Sequence, residues 1–303
     1  MTTLEPTPSP EDALAVSRLR GGVLHLRLSR PQRRNALDGP LAEALLGALR
    51  AVPAGGDVRA VLLSGAGPAF CAGADLRWMR DGGHAPWEEN LAGATLLADL
   101  LAALDACPVP TVARVHGATY GGGLGLVAAV DVAVGASDCR FAFSEVKLGL
   151  LPAVIAPYVL SRIGEGQARA LFVTGEPFGA TRAQQMGLLH AVASPDALDA
   201  AVDDVLRELS TAAPGAAGAA RALIRQVRQA SQGPPEALRA LTAEALASRR
   251  AGPEGQEGLR AALERRPPSW APPAEDGATP GGGPGGLGAQ PPDTTSPIPG
   301  GRH

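Results

Sequence analysis

The stretch from His116 to Pro152, HGATYGGGLGLVAAVDVAVGASDCRFAFSEVKLGLLP, limits the fold of this chain more than any other. Three consecutive glycines, Gly121, Gly122 and Gly123, open an apolar run too helix-like to be a loop. Glycine has no Cβ, so the backbone can approach a ligand closely. At the start of a helix the first N–H groups lack intrahelical partners, and the positive end of the helix dipole lies behind them. Further on, one carboxylate, Glu145, stands in an otherwise apolar context. Fixed donors facing a single acid outline a catalytic centre that stabilises developing negative charge.

The rest of the chain reads as units of strands followed by helices. Ala13 to Leu28 alternates apolar and polar residues around Gly21-Gly22, which predicts two short strands and a tight turn. Asp38 suits a helix N-cap and Pro40 the first turn of a helix over Leu41–Val52. Val58–Leu63 and Thr111–Val115 read as buried strands, and Val130–Val134 and Cys139–Phe143 as two more. Between them, a helix begins at Ala74-Asp75-Leu76, Asp81–Pro86 reads as a mobile break, and a helix follows over Trp87–Ala106. Short helical pieces at Pro157–Ile163, Gln167–Val173 and Thr181–Gly187 alternate with glycines. Helices over Ala197–Ala213, Arg221–Ala230, Glu236–Arg250 and Gly258–Glu264 follow. The expected organisation is a disordered segment 1–12, a core 13–196 with the site, a helical region 197–271 and a Pro/Gly-rich disordered tail 272–303.

Net charge is −3 over 303 residues, and Lys147 is the only lysine, so neither nucleic acid nor an anionic membrane surface is an expected partner. No apolar run reaches the ~20 residues of a membrane span, and no apolar core follows a basic start. A cytoplasmic protein is expected. Cys71, Cys107 and Cys139 fit no disulfide or metal spacing, and His25, His84 and His190 are scattered. His116 is expected to support the turn before the glycines, and Asp131 to bond backbone in the core.

Five stretches in order, LSRPQRRNAL, FCAGADLRWM, HGATYGGGLGL, FAFSEVKLGLLP and EGLRAALERRPPSW, make the chain resemble the enoyl-CoA hydratase/isomerase, or crotonase, superfamily. They span about Ala13 to Trp270. The resemblance implies an α/β fold, a crotonase-like spiral of repeated ββα units with a helical C-terminal region that builds homotrimers or homohexamers. It implies an acyl-CoA thioester as substrate, with coenzyme A part of that substrate and no separate cofactor. It places two oxyanion-binding amides at Ala74 and Gly122 and a catalytic carboxylate at Glu145. It places substrate-binding residues at Arg33, Arg34, Ala72, Asp75, Leu76, Arg77, Tyr120 and Gly121. The arginines are candidates for CoA phosphates, since guanidinium binds phosphate in a bidentate fashion. Asp75 is expected to cap the helix after Ala74.

The chain departs from that pattern at one position. Hydratases of the family hold one water between two glutamates, and the first should lie three residues after Gly122. Gly125 stands there. A single Glu145 suits an isomerase that moves a double bond between Δ3 and Δ2 positions, because one base can take a proton from C2 and return it at C4. The run YGGGLGLVAAVDVAVG and the phrase SEVKLGLLPAVIAPYV instead resemble a bacterial subgroup of branched enoyl-CoA hydratases, for which 3-methylglutaconyl-CoA is a type substrate. Hydration of a branched or carboxylated enoyl-CoA is therefore expected, with isomerisation as the alternative and a non-catalytic CoA-binding role behind both.

Overall fold

Alternating polarity around Gly21-Gly22 builds an antiparallel hairpin of β1 (Leu14–Leu19) and β2 (Val23–Leu28). A computed structural model describes residues 13–272. The segment 1–12 and the tail from 273 lie outside the described residues. α1 (Gly39–Arg50) starts at Asp38, whose carboxylate accepts the Leu41 N–H at 3.1 Å. Its apolar face, Leu41, Leu45, Leu46 and Leu49, is buried, at about 1.5–3 kcal/mol for each leucine fully withdrawn from water.

The next three strand pairs repeat one plan. In each, the first strand joins one sheet and the second joins another. β3 (Ala60–Gly65) is followed by β4 (Ala69–Cys71), then by helices α2 (Leu76–His84) and α3 (Trp87–Asp105). β5 (Thr111–Val115) and β6 (Ala118–Tyr120) lead into α4 (Gly122–Ala129). β7 (Val132–Ala136) and β8 (Arg140–Ala142) lead through a short 3-10 turn, Glu145–Leu148, into α5 (Ala156–Thr174). β9 (Phe178–Gly179), α6 (Ala180–Gln185) and β10 (Ala191–Ala193) close the core. The larger sheet runs β1-β2-β3-β5-β7-β10, parallel except for the first hairpin. The smaller runs β4-β6-β8-β9, parallel except at its last edge. Parallel neighbours need a crossover between them, and the helices supply it. This is the spiral of ββα units.

Five of these strands, β4, β6, β8, β9 and β10, are two or three residues long, and all of them but β8, which falls within the strand expected at Cys139–Phe143, escape a reading by periodicity. α2 extends to His84, through most of the break expected at Asp81–Pro86. The two helical pieces expected over 157–173 are one element, α5, interrupted at Gly164 (φ 74, ψ 163).

α4 is short and buried from Gly123 to Ala129, and its carboxyl end is closed from α5. The Arg162 guanidinium donates to the carbonyls of Ala128, Val130 and Asp131. The C-terminal helices are α7 (Leu198–Thr211), α8 (Pro214–Ala230), α9 (Pro235–Ala251) and α10 (Pro253–Glu264). α7 packs on β5, β7 and β10. α8 is tied to the core by Arg221, which is buried, pairs with the Asp131 carboxylate at 2.6 Å and donates to the carbonyls of Cys107, Leu104 and Asp105. Asp131 also accepts from the Thr111 N–H and hydroxyl at 2.7 and 2.9 Å, so it holds a half-buried charge pair as well as backbone. No helix of the described residues is long and apolar enough to cross a membrane.

Candidate active site

The smaller sheet decides where the chemistry meets. Ala74 follows β4, Gly122 follows β6 and Glu145 follows β8, and these strands are adjacent and parallel in that order. Their carboxyl ends therefore release three residues, distant in sequence, at one edge. Open parallel sheets bind ligands at the carboxyl ends of their strands for the same reason.

Ala74 is held by its neighbours on both sides. Leu37 donates to the Gly73 carbonyl at 2.8 Å and accepts from the Asp75 N–H at 2.7 Å. That clamp skips the Ala74 amide, for which no described backbone carbonyl serves as acceptor. The first loop that carries Leu37 is pinned by Asn35, fully buried, whose amide donates to the carbonyls of Ala66 and Ala69 at 2.9 and 2.8 Å. Asp75 accepts from the Arg77 and Trp78 amides and so caps α2.

Gly122 begins α4, and its amide is likewise without a described backbone acceptor. The two amides are close. A methyl group added to Gly73 would lie 3.5 Å from the Gly122 nitrogen, and one added to Gly122 would lie 3.7 Å from the Ala74 nitrogen. Gly73 has φ 94 and a methyl there would also strike the Tyr120 carbonyl at 2.9 Å, so no other residue fits. With Arg162 engaging the last carbonyls of α4, the positive end at Gly122 is the pole left facing the cavity.

Glu145 opens the 3-10 turn after β8. Its carboxylate approaches the glycine loop so closely that a methyl group on Gly121 (φ 44) would lie 3.1 Å from Oε1. Its Oε2 is buried and has no hydrogen-bond partner. Burial raises the Glu145 pKa above the ordinary glutamate range, opposed only by a backbone hydrogen bond. A carboxylate desolvated in this way holds a proton more readily than one in water, which suits a group that takes a proton and returns it.

These groups line one cavity of about 110 Å³. Ala72, Ala74, Leu76, Gly121, Gly122 and Glu145, singled out in the sequence, all line it. Sequence reasoning missed the wall formed by Leu97, Leu148, Leu150, Leu151 and Ile155. Its one signal was the apolar cluster LGLLP directly after Glu145. A second groove of about 280 Å³ between α2 and α3 shares Met79, Leu97 and Leu150 with the cavity and adds Trp78 and Gly93. Arg33, Arg34 and Arg77 are exposed and do not line the cavity, although the Arg34 carbonyl accepts the Ala72 N–H at 2.9 Å on its rim. Tyr120 and Asp75 do not line the cavity either. His116 is paired through Nε2 with the Gly67 carbonyl at 2.8 Å, and burial lowers its pKa. The three cysteines are free and buried, and burial pushes the thiols of Cys71 and Cys139 up to about 12.

The position three residues after Gly122 is closed. A methyl group on Gly125 would lie 2.4 Å from Ile155 Cγ2 and 3.3 Å from Leu101 Cδ1. Both side chains are buried. The departure at Gly125 is therefore built into the packing of α3, α4 and α5.

The model of the enoyl-CoA hydratase/isomerase family matches residues 18–273. A Thermus thermophilus relative, named as an enoyl-CoA hydratase, is 34% identical over 251 residues, covering 83% of this chain and 98% of its own. The enoyl-CoA hydratase ACTT6 of Alternaria alternata is 38% identical over 198 residues, 65% of this chain; the match spans 64% of that protein, just under two thirds. The crystal structure of an enoyl-CoA hydratase from Shewanella pealeana superposes with a TM-score of 0.81 at 36% identity, over 86% of this chain and 96% of that one.

Proposed function

This chain belongs to the enoyl-CoA hydratase/isomerase family, and on that premise we propose that it adds water across the double bond of a branched enoyl-CoA thioester. The observation that carries this reading is the pairing of one half-buried carboxylate, whose Oε2 is buried without a partner, with two unpaired amides in a single apolar cavity. The thioester oxygen accepts from the Ala74 and Gly122 amides. Water attacks C3 while Glu145 takes one of its protons. The electrons of the C2=C3 bond move onto the thioester oxygen, and the amides stabilise that charge. Glu145 then returns the proton to C2, so the carboxylate is regenerated and one water is added. Each oxyanion donor is worth roughly 10²–10³ in rate.

A branched acyl group is supported by the breadth of the hydrocarbon wall at Leu76, Leu97, Leu148 and Leu150. The described lining holds no arginine, lysine or histidine to pair with a carboxylated branch. Arg33 and Arg34 are proposed to meet the CoA phosphates from the exposed loop beside Ala72. Homotrimer or homohexamer assembly is proposed as well, supported by apolar residues that the C-terminal helices leave exposed, Ile224, Leu246, Leu259 and Leu263.

One observation favours a second reading. Ile155 leaves no room for a second acid at position 125, and a lone base suffices for Δ3,Δ2 isomerisation. Parallel assays with 3-methylglutaconyl-CoA, 3-methylbut-2-enoyl-CoA and trans-3-hexenoyl-CoA separate the two. Gain of one water in mass on a branched substrate supports hydration. Migration of the hexenoyl double bond without water gain, and no hydration of the branched pair, replaces it with isomerisation.

A further inference from the structure

An attacking water held by one acceptor is free to turn about that hydrogen bond, and productive attack on C3 requires it to be oriented. In a site with two glutamates the second carboxylate supplies the orientation. Here the route from α4 is shut: any side chain at position 125 meets Ile155 Cγ2 at 2.4 Å, and Ile155 and Leu101 are 1% and 3% exposed. The second polar group must come from elsewhere in the lining. Of the residues around the cavity only two have polar side chains, Ser144 and Glu145, consecutive on the turn after β8.

Ser144 is placed for such a role and has no other visible use. It precedes the 3-10 turn at the N-cap position, yet its hydroxyl makes no capping bond. Its carbonyl, not its side chain, accepts the Lys147 N–H, at 3.1 Å. Among the described residues its hydroxyl has no hydrogen-bond partner. A serine hydroxyl both donates and accepts, so it can hold water whichever way that water is turned.

On the reading that this enzyme hydrates an enoyl thioester, we propose that the Ser144 hydroxyl is the second group that holds the attacking water, acting with Glu145. One O–H of the water points to the Glu145 carboxylate and the other to Ser144 Oγ, leaving an oxygen lone pair for C3. As the C3–O bond forms, the first proton passes to Glu145 and then to C2. The second stays on its oxygen and becomes the hydrogen of the product hydroxyl. Ser144 keeps its own proton throughout.

The test uses the full-length chain and two reactions that share all of the site except the water. The first is hydration of 3-methylbut-2-enoyl-CoA. The second is exchange of the C2 protons of butyryl-CoA in deuterated buffer, which needs Glu145 and both amides and involves no attack by water on carbon. Ser144→Ala should lower kcat for hydration roughly ten- to hundredfold, the size of one lost hydrogen bond, with little change in KM. Exchange should stay within about twofold of the parent, a change of under half a kcal/mol. Ser144→Thr should restore most of the hydration rate. Unchanged hydration in Ser144→Ala overturns the assignment. So does a parallel loss of hydration and exchange, which would mark Ser144 as structural. A parent enzyme that exchanges C2 protons but adds no water to any enoyl thioester refutes the hydratase reading itself, and the role of Ser144 falls with it.

Discussion

Replacing Gly125 by alanine should destabilise the protein although the position lies inside a helix, where that change normally helps. The new methyl would sit 2.4 Å from Ile155 Cγ2, 3.1 Å from Ile155 Cβ and 3.3 Å from Leu101 Cδ1. Carbon atoms at rest lie about 3.5–4.0 Å apart. Ile155 is β-branched and stiff, and it is enclosed, so it cannot swing aside freely. Overpacking of this kind costs about 1–3 kcal/mol. Alanine returns about 0.5–1 kcal/mol in helix stability. The net loss expected for Gly125→Ala is thus about 1 kcal/mol, with outer bounds of about 0 and 2.5 kcal/mol. Ile155→Ala alone should cost about 2–5 kcal/mol through the cavity it leaves. Combined, the second change makes room for the first, and the pair should couple favourably by about 1–3 kcal/mol. Urea unfolding of the four proteins at one fixed concentration measures the cycle. A Gly125→Ala protein as stable as the parent, with an additive double variant, would refute the reasoning that Ile155 seals this position.

Three further substitutions probe the site and its supports. Glu145→Gln should lower turnover by about 10²–10⁴ while CoA-ester binding measured by calorimetry stays near that of the parent; near-normal turnover would remove Glu145 from the chemistry. The same substitution tests pH dependence. Burial raises the folded-state pKa of Glu145, so between the unfolded and folded values the native state binds more protons, and stability falls as pH rises through that window. Glu145→Gln should remove this loss, making the variant more stable than the parent above the window and no more stable below it, by denaturant titration at each pH. Gly122→Pro deletes one proposed oxyanion donor and strains the preceding Gly121, and should cost at least roughly 10²–10³ in kcat; a loss in KM alone would argue against the amide. Arg221→Ala leaves the half-buried Asp131 carboxylate without its cationic partner and should destabilise the protein by about 1.5–3 kcal/mol in thermal or chemical unfolding, whereas a loss below about 1 kcal/mol would show that α8 is held by other contacts.

Periodicity revealed the elements long enough to show it. The hairpin around Gly21-Gly22, α1 with its Asp38 cap and the helices beyond Leu198 all repeat their apolar residues at the spacing of their own geometry. The strands that build the site do not. β4 and β6 have three residues each, and what makes them strands is pairing with each other and with β8, a property of partners far away in the chain. α5 reads as two pieces because Gly164 leaves helical geometry, while the flanking turns continue in one element. Glu145 and the glycine run were legible because their chemistry is local: a carboxylate among apolar residues, and amides without Cβ in the way. Their convergence was legible only through the resemblance. The contact between Ile155 and Gly125 left no mark in either neighbourhood, since an isoleucine before a helix and a glycine within one are each ordinary alone. The leucine wall after Glu145 was visible as composition, but which of those leucines turn inward depends on the 3-10 turn and the Gly149 conformation (φ 73).

The closed position beside α4 also bears on how this site can change over generations. A glutamate introduced at Gly125 by itself would be driven into Ile155, and the chain would lose stability before it could gain an acid. Removing Ile155 first opens a void in the core and supplies no chemistry. Either order of the two steps crosses a less stable intermediate, so a second acid at this position is reached only by way of a chain with reduced stability. The same isoleucine that walls the cavity thus fills the place a second acid would need, and relaxing that packing would be the first step in any laboratory lineage meant to introduce one.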